Sequence, residues 1–118
     1  MELIGKNISD LNAKELGAAI KSYPVKTLDL SGNSLTDEGL KVICRALCES
    51  GIEKVNLAKN KIGEKHIDQI IQILKTSKSS LRQIVLLDNQ FVSKMSKNRI
   101  KNSLAKAGSG GRGIEIVI

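Results

Sequence analysis

The sequence predicts an α/β repeat fold in which parallel strands stack along one side and helices along the other. Three observations carry that expectation. Leu28-Asp-Leu30-Ser-Gly-Asn33-Ser-Leu35 returns as Val55-Asn-Leu57-Ala-Lys-Asn60-Lys-Ile62 and again as Ile84-Val-Leu86-Leu-Asp-Asn89-Gln-Phe91, at steps of 27 and then 29 residues. Each copy opens with apolar residues two apart, which is strand spacing. Apolar residues three and four apart follow, which turn one face of a helix inward. A fixed step of this length marks one supersecondary unit stacked on copies of itself. Such a stack presents an extended surface, not an enclosed catalytic cleft.

The N-terminal segment fits a degenerate copy. A shift of 27 sets Leu3 on Leu30, Ile8 on Leu35, Leu16 on Ile43 and Ile20 on Leu47, with Lys6 where the others carry Asn. Terminal units of a stack are commonly atypical. In the second unit Leu40, Ile43, Cys44 and Leu47 hold the helical stripe, and Ser50-Gly51 ends it. In the third, Ile67, Ile70, Ile71 and Leu74 repeat the stripe before Ser77-Lys-Ser-Ser80 breaks it. Phe91 then opens a helix that keeps Ile100, Leu104 and Ala107 on one face. After the Gly-rich stretch 108–113, Ile114-Glu-Ile116-Val-Ile118 reads as a final strand, 30 residues beyond Ile84-Val-Leu86. The expected units of this single domain are about 1–24, 25–51, 52–80, 81–110 and the strand 114–118. The recurring Asn has a physical cause. Where the chain turns out of the strand, backbone amides and carbonyls are left inside the stack, and an Asn side chain can both donate to and accept from them. Asn33, Asn60 and Asn89 therefore form a candidate structural ladder.

Leu28-x-Leu30-x-x-Asn33-x-Leu35-Thr-Asp-Glu-Gly39-Leu40-x-x-Ile43-x-x-x-Leu47 resembles the leucine-rich repeat of the ribonuclease-inhibitor subtype. The 27–29 residue length and the Gly before the first helical Leu set that subtype apart from shorter ones. The resemblance implies a right-handed solenoid, a horseshoe arc with parallel strands on the concave face and helices on the convex face. Right-handedness also follows from parallel strands joined by helical crossovers. The resemblance further implies a scaffold for protein binding of the kind used in ribonuclease inhibition, innate-immune sensing and GTPase regulation. The repeat residues themselves serve the fold and name no partner.

In each strand the residues between and after the inward apolar positions point out. This gives one expected row of Glu2, Asp29, Asn56, Val85 and Glu115, and a second of Ile4, Ser31, Ala58, Leu87 and Val117. Asp29, Ser31, Asn56, Ala58, Val85, Leu87, Glu115 and Val117 are the candidate partner-binding residues. The early part of the face is polar and partly acidic, and the late part is apolar. A cluster of apolar side chains on a polar face marks an interaction site.

The chain carries 19 Lys/Arg against 12 Asp/Glu, a net charge of +7. Residues 1–74 hold ten of each sign, so the whole excess falls in residues 75–118. Lys94, Lys97, Arg99, Lys101 and Lys106 on the last helix, with Lys75, Lys78 and Arg82 before it, form a second candidate surface, for an anionic partner such as nucleic acid or an acidic membrane. Tyr23 and Phe91 are the only aromatic residues, so base stacking has no platform there. The Gly-rich stretch lacks the strand before, helix after and Lys-Ser/Thr ending of a phosphate loop, and reads as a flexible connection.

No enzyme chemistry stands out. His66 is the only His, and no Ser or Cys is spaced to be activated by it. Asp37, Glu38, Glu64 and Asp68 fall in early helical turns, where negative charge suits the helix dipole. Cys44 and Cys48 are four apart with no second pair, which gives neither a disulfide framework nor a zinc site. No metal, cofactor or small-molecule substrate is expected. No apolar run is long enough to span a bilayer and no signal-peptide pattern opens the chain, so the expected location is cytoplasmic. Short units rich in Lys and Ile also suit a bacterial protein acting inside a host. The apolar strand 114–118 adds a candidate edge for self-association.

Overall fold

The computed structural model describes residues 2–22, 24–76, 80–90, 94–104 and 113–118. After a 3-10 turn at Asp10–Asn12, α1 (Ala13–Ser22), β1 (Thr27–Asp29), α2 (Asp37–Cys48), β2 (Lys54–Asn56), α3 (Ile67–Thr76), β3 (Gln83–Val85), α4 (Lys94–Leu104) and β4 (Glu115–Val117) follow in order. The strands form one parallel sheet in the order β1-β2-β3-β4. A parallel bridge between Glu2 and Asp29 adds the N-terminal segment to its edge. Helices pack on their sequence neighbours, α1 on α2, α2 on α3 and α3 on α4. The result is a flattened body of 31 × 31 × 18 Å.

The core lies between the two layers. Leu28, Val55, Ile84 and Ile116 point inward from the strand centres, and Leu30, Leu57 and Leu86 form the next buried row. Leu40, Ile43, Cys44 and Leu47 of α2 meet them, as do Ile70, Ile71 and Leu74 of α3. Leu16 and Ile20 do the same from α1, and Ile100 and Leu104 from α4. The Ile67 side chain, Phe91, Ala107 and residues 108–112 of the Gly-rich stretch lie outside the described residues.

One expectation is corrected. The last strand does not repeat at 30 residues. Ile84 pairs with Ile116 and Val85 with Val117, a step of 32, whereas β2 to β3 keeps the step of 29. A shift of two residues keeps the same side chains inward, so the alternation alone allows either step. In the observed register Ile114 lies one row before the paired strand, where it is buried and its amide donates to the Leu104 carbonyl at 2.7 Å, and Ile116 fills the position beside Ile84.

Each strand ends in a sharp turn whose middle residue has a left-handed backbone. Gly5 (φ 60°), Gly32 (φ 70°), Lys59 (φ 57°) and Asp88 (φ 57°) occupy equivalent places. The next residue is the Asn in the last three and Lys6 in the first. Asn60 donates from Nδ2 to the Leu57 and Leu30 carbonyls (3.1 and 3.0 Å), one in its own unit and one in the unit before. Its Oδ1 accepts from the Leu35 amide at 3.0 Å. Asn89 repeats this with Leu86, Leu57 and the Ile62 amide. Asn33 reaches the Leu30 and Leu3 carbonyls and accepts from the Lys6 and Ile8 amides. The first unit thus needs no Asn of its own to be held by the second.

A second set of rungs runs through carboxylates at the helix starts. Asp10 Oδ1 accepts from the Thr36 amide at 2.9 Å, and its Oδ2 accepts from the Thr36 hydroxyl. Asp37, the equivalent residue one step on, accepts from the His66 amide at 2.9 Å. Thr36 in turn accepts from the Glu38 amide and caps α2. Gly39 is needed because a Cβ there would strike the Asp10 carboxylate and press on Leu35.

Four outcomes test this account. Asn60→Ala should lower unfolding free energy by about 1–3 kcal/mol in urea titration, because buried carbonyls and an amide lose their partner. Asn89→Ala should cost less, since that residue is only half-buried. Gly39→Ala should cost about 1–3 kcal/mol through overpacking, and Asp10→Ala in the same chain should give a loss well short of the sum. Burial and then the nearby Cys48 push the Cys44 thiol well above the usual thiol range. A thiol reagent should therefore modify Cys48 in the folded protein and reach Cys44 only as fast as the chain unfolds.

Candidate functional site

Side chains alternate along each three-residue strand, with the central residue buried and the flanking ones facing out. Three rows cross the exposed sheet face. The middle row is Glu2, Asp29, Asn56, Val85 and Val117, in register through the Glu2 bridge and the three strand pairings. One row back stand Thr27, Lys54, Gln83 and Glu115. One row forward, at the turns, lie Ile4, Ser31, Ala58 and Leu87, of which Ile4 is 49% and Leu87 44% exposed. A shallow groove follows the middle and back rows from Glu2 to Val85.

Two of the expected residues change place. Glu115 does not continue the Asp29 row; it pairs across from Gln83, whose Nε2 donates to Glu115 Oε1 at 2.5 Å. Val117 leaves the Leu87 row and stands beside Val85. The two-residue difference between the expected step and the observed one moves both by one row. Val85 and Val117 are therefore direct neighbours, and the apolar end of the face is more concentrated than the sequence pattern suggests. Thr27, Lys54 and Gln83 were absent from the expected set. Counting two residues back from Asp29, Asn56 and Val85 would have found them.

The polar members of the middle row also shape the turns. Asp29 Oδ1 accepts from the Ser31 amide (3.0 Å) and hydroxyl (2.7 Å), and Asn56 Oδ1 accepts from the Ala58 amide at 3.0 Å. Both are turns closed by a side-chain oxygen two residues before the amide. Val85 has no oxygen to offer, so the third turn does without this bond.

The basic C-terminal residues do not converge in the same way. Lys94, Lys97 and Lys101 share one stripe of α4, with Lys97 half-buried. Arg99 points elsewhere and is ion-paired to Asp68 of α3. Lys75 and Arg82 are exposed, while Lys78 and Lys106 lie outside the described residues. His66 Nε2 is buried 2.7 Å from Glu38 Oε1, without hydrogen-bond geometry, and 3.9 Å from Asp37 Oδ2. The only histidine thus sits on the seam between two units. Among the described residues no group of three or more His, Cys, Asp or Glu is arranged to hold a metal. No helix among them is long and apolar enough to cross a membrane.

Comparison with known proteins adds to this geometry. The Leucine Rich repeat family matches residues 24–44, which span β1, its Asn turn and the first two-thirds of α2. NACHT, LRR and PYD domains-containing protein 14 of Homo sapiens is 25% identical over 122 aligned residues, covering 77% of this chain. This chain spans 11% of that relative's length. Among solved structures, Leiomodin-1 Actin-Binding Site 2 superposes with a TM-score of 0.77 at 17% identity, covering all of this chain and 69% of its own. At that identity the likeness speaks for the fold alone. A repeating strand, Asn turn and helix, a sheet of parallel strands in chain order, and these matches lead to one conclusion: residues 24–44 are a leucine-rich repeat, and the segments on either side repeat its strand and turn.

Proposed function

We propose that the chain is a non-catalytic protein-interaction module of the ribonuclease-inhibitor-like subtype. In this reading it is a right-handed arc, its sheet on the concave side and its helices on the convex side. The units 1–24, 25–51, 52–80 and 81–110 and the final strand 114–118 make up one domain. A partner protein is held against the sheet face by Asp29, Ser31, Asn56, Ala58, Val85, Leu87 and Val117, with Glu115 at the rim.

One observation carries this reading. The outward rows bring Val85 and Val117 side by side, with Leu87 one row forward, on a face whose other members are polar apart from Ile4 and Ala58 in the forward row. Grouped exposed apolar residues of this kind gain free energy when a partner removes them from water. Neither an acid–base pair nor an activated nucleophile accompanies them on the face. The name of the leiomodin fragment includes actin binding, but at 17% identity that function does not carry over, and the partner stays open.

The competing surface is the Lys94, Lys97 and Lys101 stripe, with phosphates as its natural ligands. The two separate by salt. Immobilised chain should retain a partner from lysate that Val85→Asp and Leu87→Asp chains release, with circular dichroism unchanged. Retention should fall little between 50 and 300 mM salt if apolar contact dominates, and steeply if phosphates do. Equal retention by both aspartate variants would overturn the sheet-face assignment.

A further inference from the structure

The sheet face is split, and the split specifies what would sit on it. Glu2 and Asp29 are adjacent in the middle row, on neighbouring strand segments. Neither forms an ion pair among the described residues, although Lys54 lies in the row behind them. Asp29 uses one oxygen to hold Ser31; among the described residues no bond is found for the other. Two carboxylates side by side repel one another and are relieved by a shared cation. At the far end of the same row Val85 and Val117 are adjacent and half-buried, and Leu87 is exposed beside them. Between the two ends stands only Asn56, whose Oδ1 is occupied by the Ala58 amide.

We infer that the occupant is an extended protein segment that carries a Lys or Arg side chain about four residues from a large apolar one. This rests on the sheet-face reading above and deepens it. The spacing follows from strand geometry. From the Glu2–Asp29 pair to the Val85–Val117 pair is three strand separations, or about 14 Å at ~4.8 Å each. An extended chain laid across the strands advances ~3.3 Å per residue, so about four residues bridge the two ends. The cation meets Glu2 and Asp29, the apolar side chain covers Val85 and Val117, and the intervening residues pass over Asn56. A segment with an acidic residue at the first place would meet like charge and be rejected.

The test is selection of displayed random dodecapeptides on the immobilised chain. Selected peptides should be enriched in Lys or Arg three to five positions from Leu, Ile, Val or Phe. A synthetic peptide taken from that set should bind about two- to five-fold more weakly when its cation is replaced by Gln, the range of an exposed charge pair. The double variant Glu2→Gln/Asp29→Asn keeps an oxygen for Ser31. It should select apolar residues without the cation, and Glu2→Gln alone should give part of that loss. The Val85→Asp variant should lose the apolar preference. Apolar enrichment with no charge preference would overturn this inference and leave the sheet-face reading standing. A cation preference unaltered in the Glu2→Gln/Asp29→Asn chain would likewise overturn it. Selection that neither variant alters would overturn both, and failure to select any recurring pattern would overturn the inference.

Discussion

A carboxamide set into the turn at the end of each strand is the interaction on which the rest of this structure depends. The chain must leave the sheet there, so backbone pairing between units satisfies only some of the amides and carbonyls of the turn, such as the Gly32 and Lys59 amides. Leaving such groups buried without partners costs about 1–3 kcal/mol each. Asn60 meets three of them in the interior, two of which belong to the preceding unit. The bond therefore does two jobs at once. It closes its own turn, and it fixes the height at which the neighbour sits. Once that height is set, Leu57 must lie beside Leu30, and Ile62 beside Leu35, with helices following behind.

Much of this is legible in the chain because the physical demand is periodic. The Leu, Leu, Asn spacing survives any change on the surface, so the parallel strands, their order and the inward rows can be read from Leu30, Leu57 and Leu86. Three things resist reading. The register of β4 depends on how the chain between Leu104 and Gly113 spends its length, which no periodicity encodes; hence Glu115 and Val117 land one row from their expected places. The Asp10 and Asp37 rungs resemble ordinary acidic residues at helix starts, and only their distance from Thr36 and His66 shows that they join units. Lys59 and Asp88 take the left-handed backbone that Gly5 and Gly32 take without strain. Nothing in their identity announces it, because the turn imposes it.

The sheet face shows how a surface can be both framework and contact. Asp29 and Asn56 face outward, yet each closes a turn through its Oδ1, so part of their chemistry is already committed. Val85 occupies the same place without that duty. Its side chain is free to vary as far as the fold is concerned, which is the condition under which a partner can dictate the residue. The basic α4 stripe lacks this contrast, and Arg99 is already engaged with Asp68.

Among the described residues, each strand pairs only with the strand before or after it, and each of α1 to α4 packs only on the helix of the adjacent unit or on the 3-10 turn within the helix layer. β1 touches β2 but not β3, and α1 touches α2 but not α3. The loop closed when a strand docks on its predecessor is thus about one unit long wherever it occurs, and its entropy cost does not grow as the array lengthens. Assembly can begin at the tightest pair and spread in either direction, like a zipper with no preferred first tooth. Sequence change in one unit is then felt mainly by the two beside it, which leaves distant units free to drift toward different tasks.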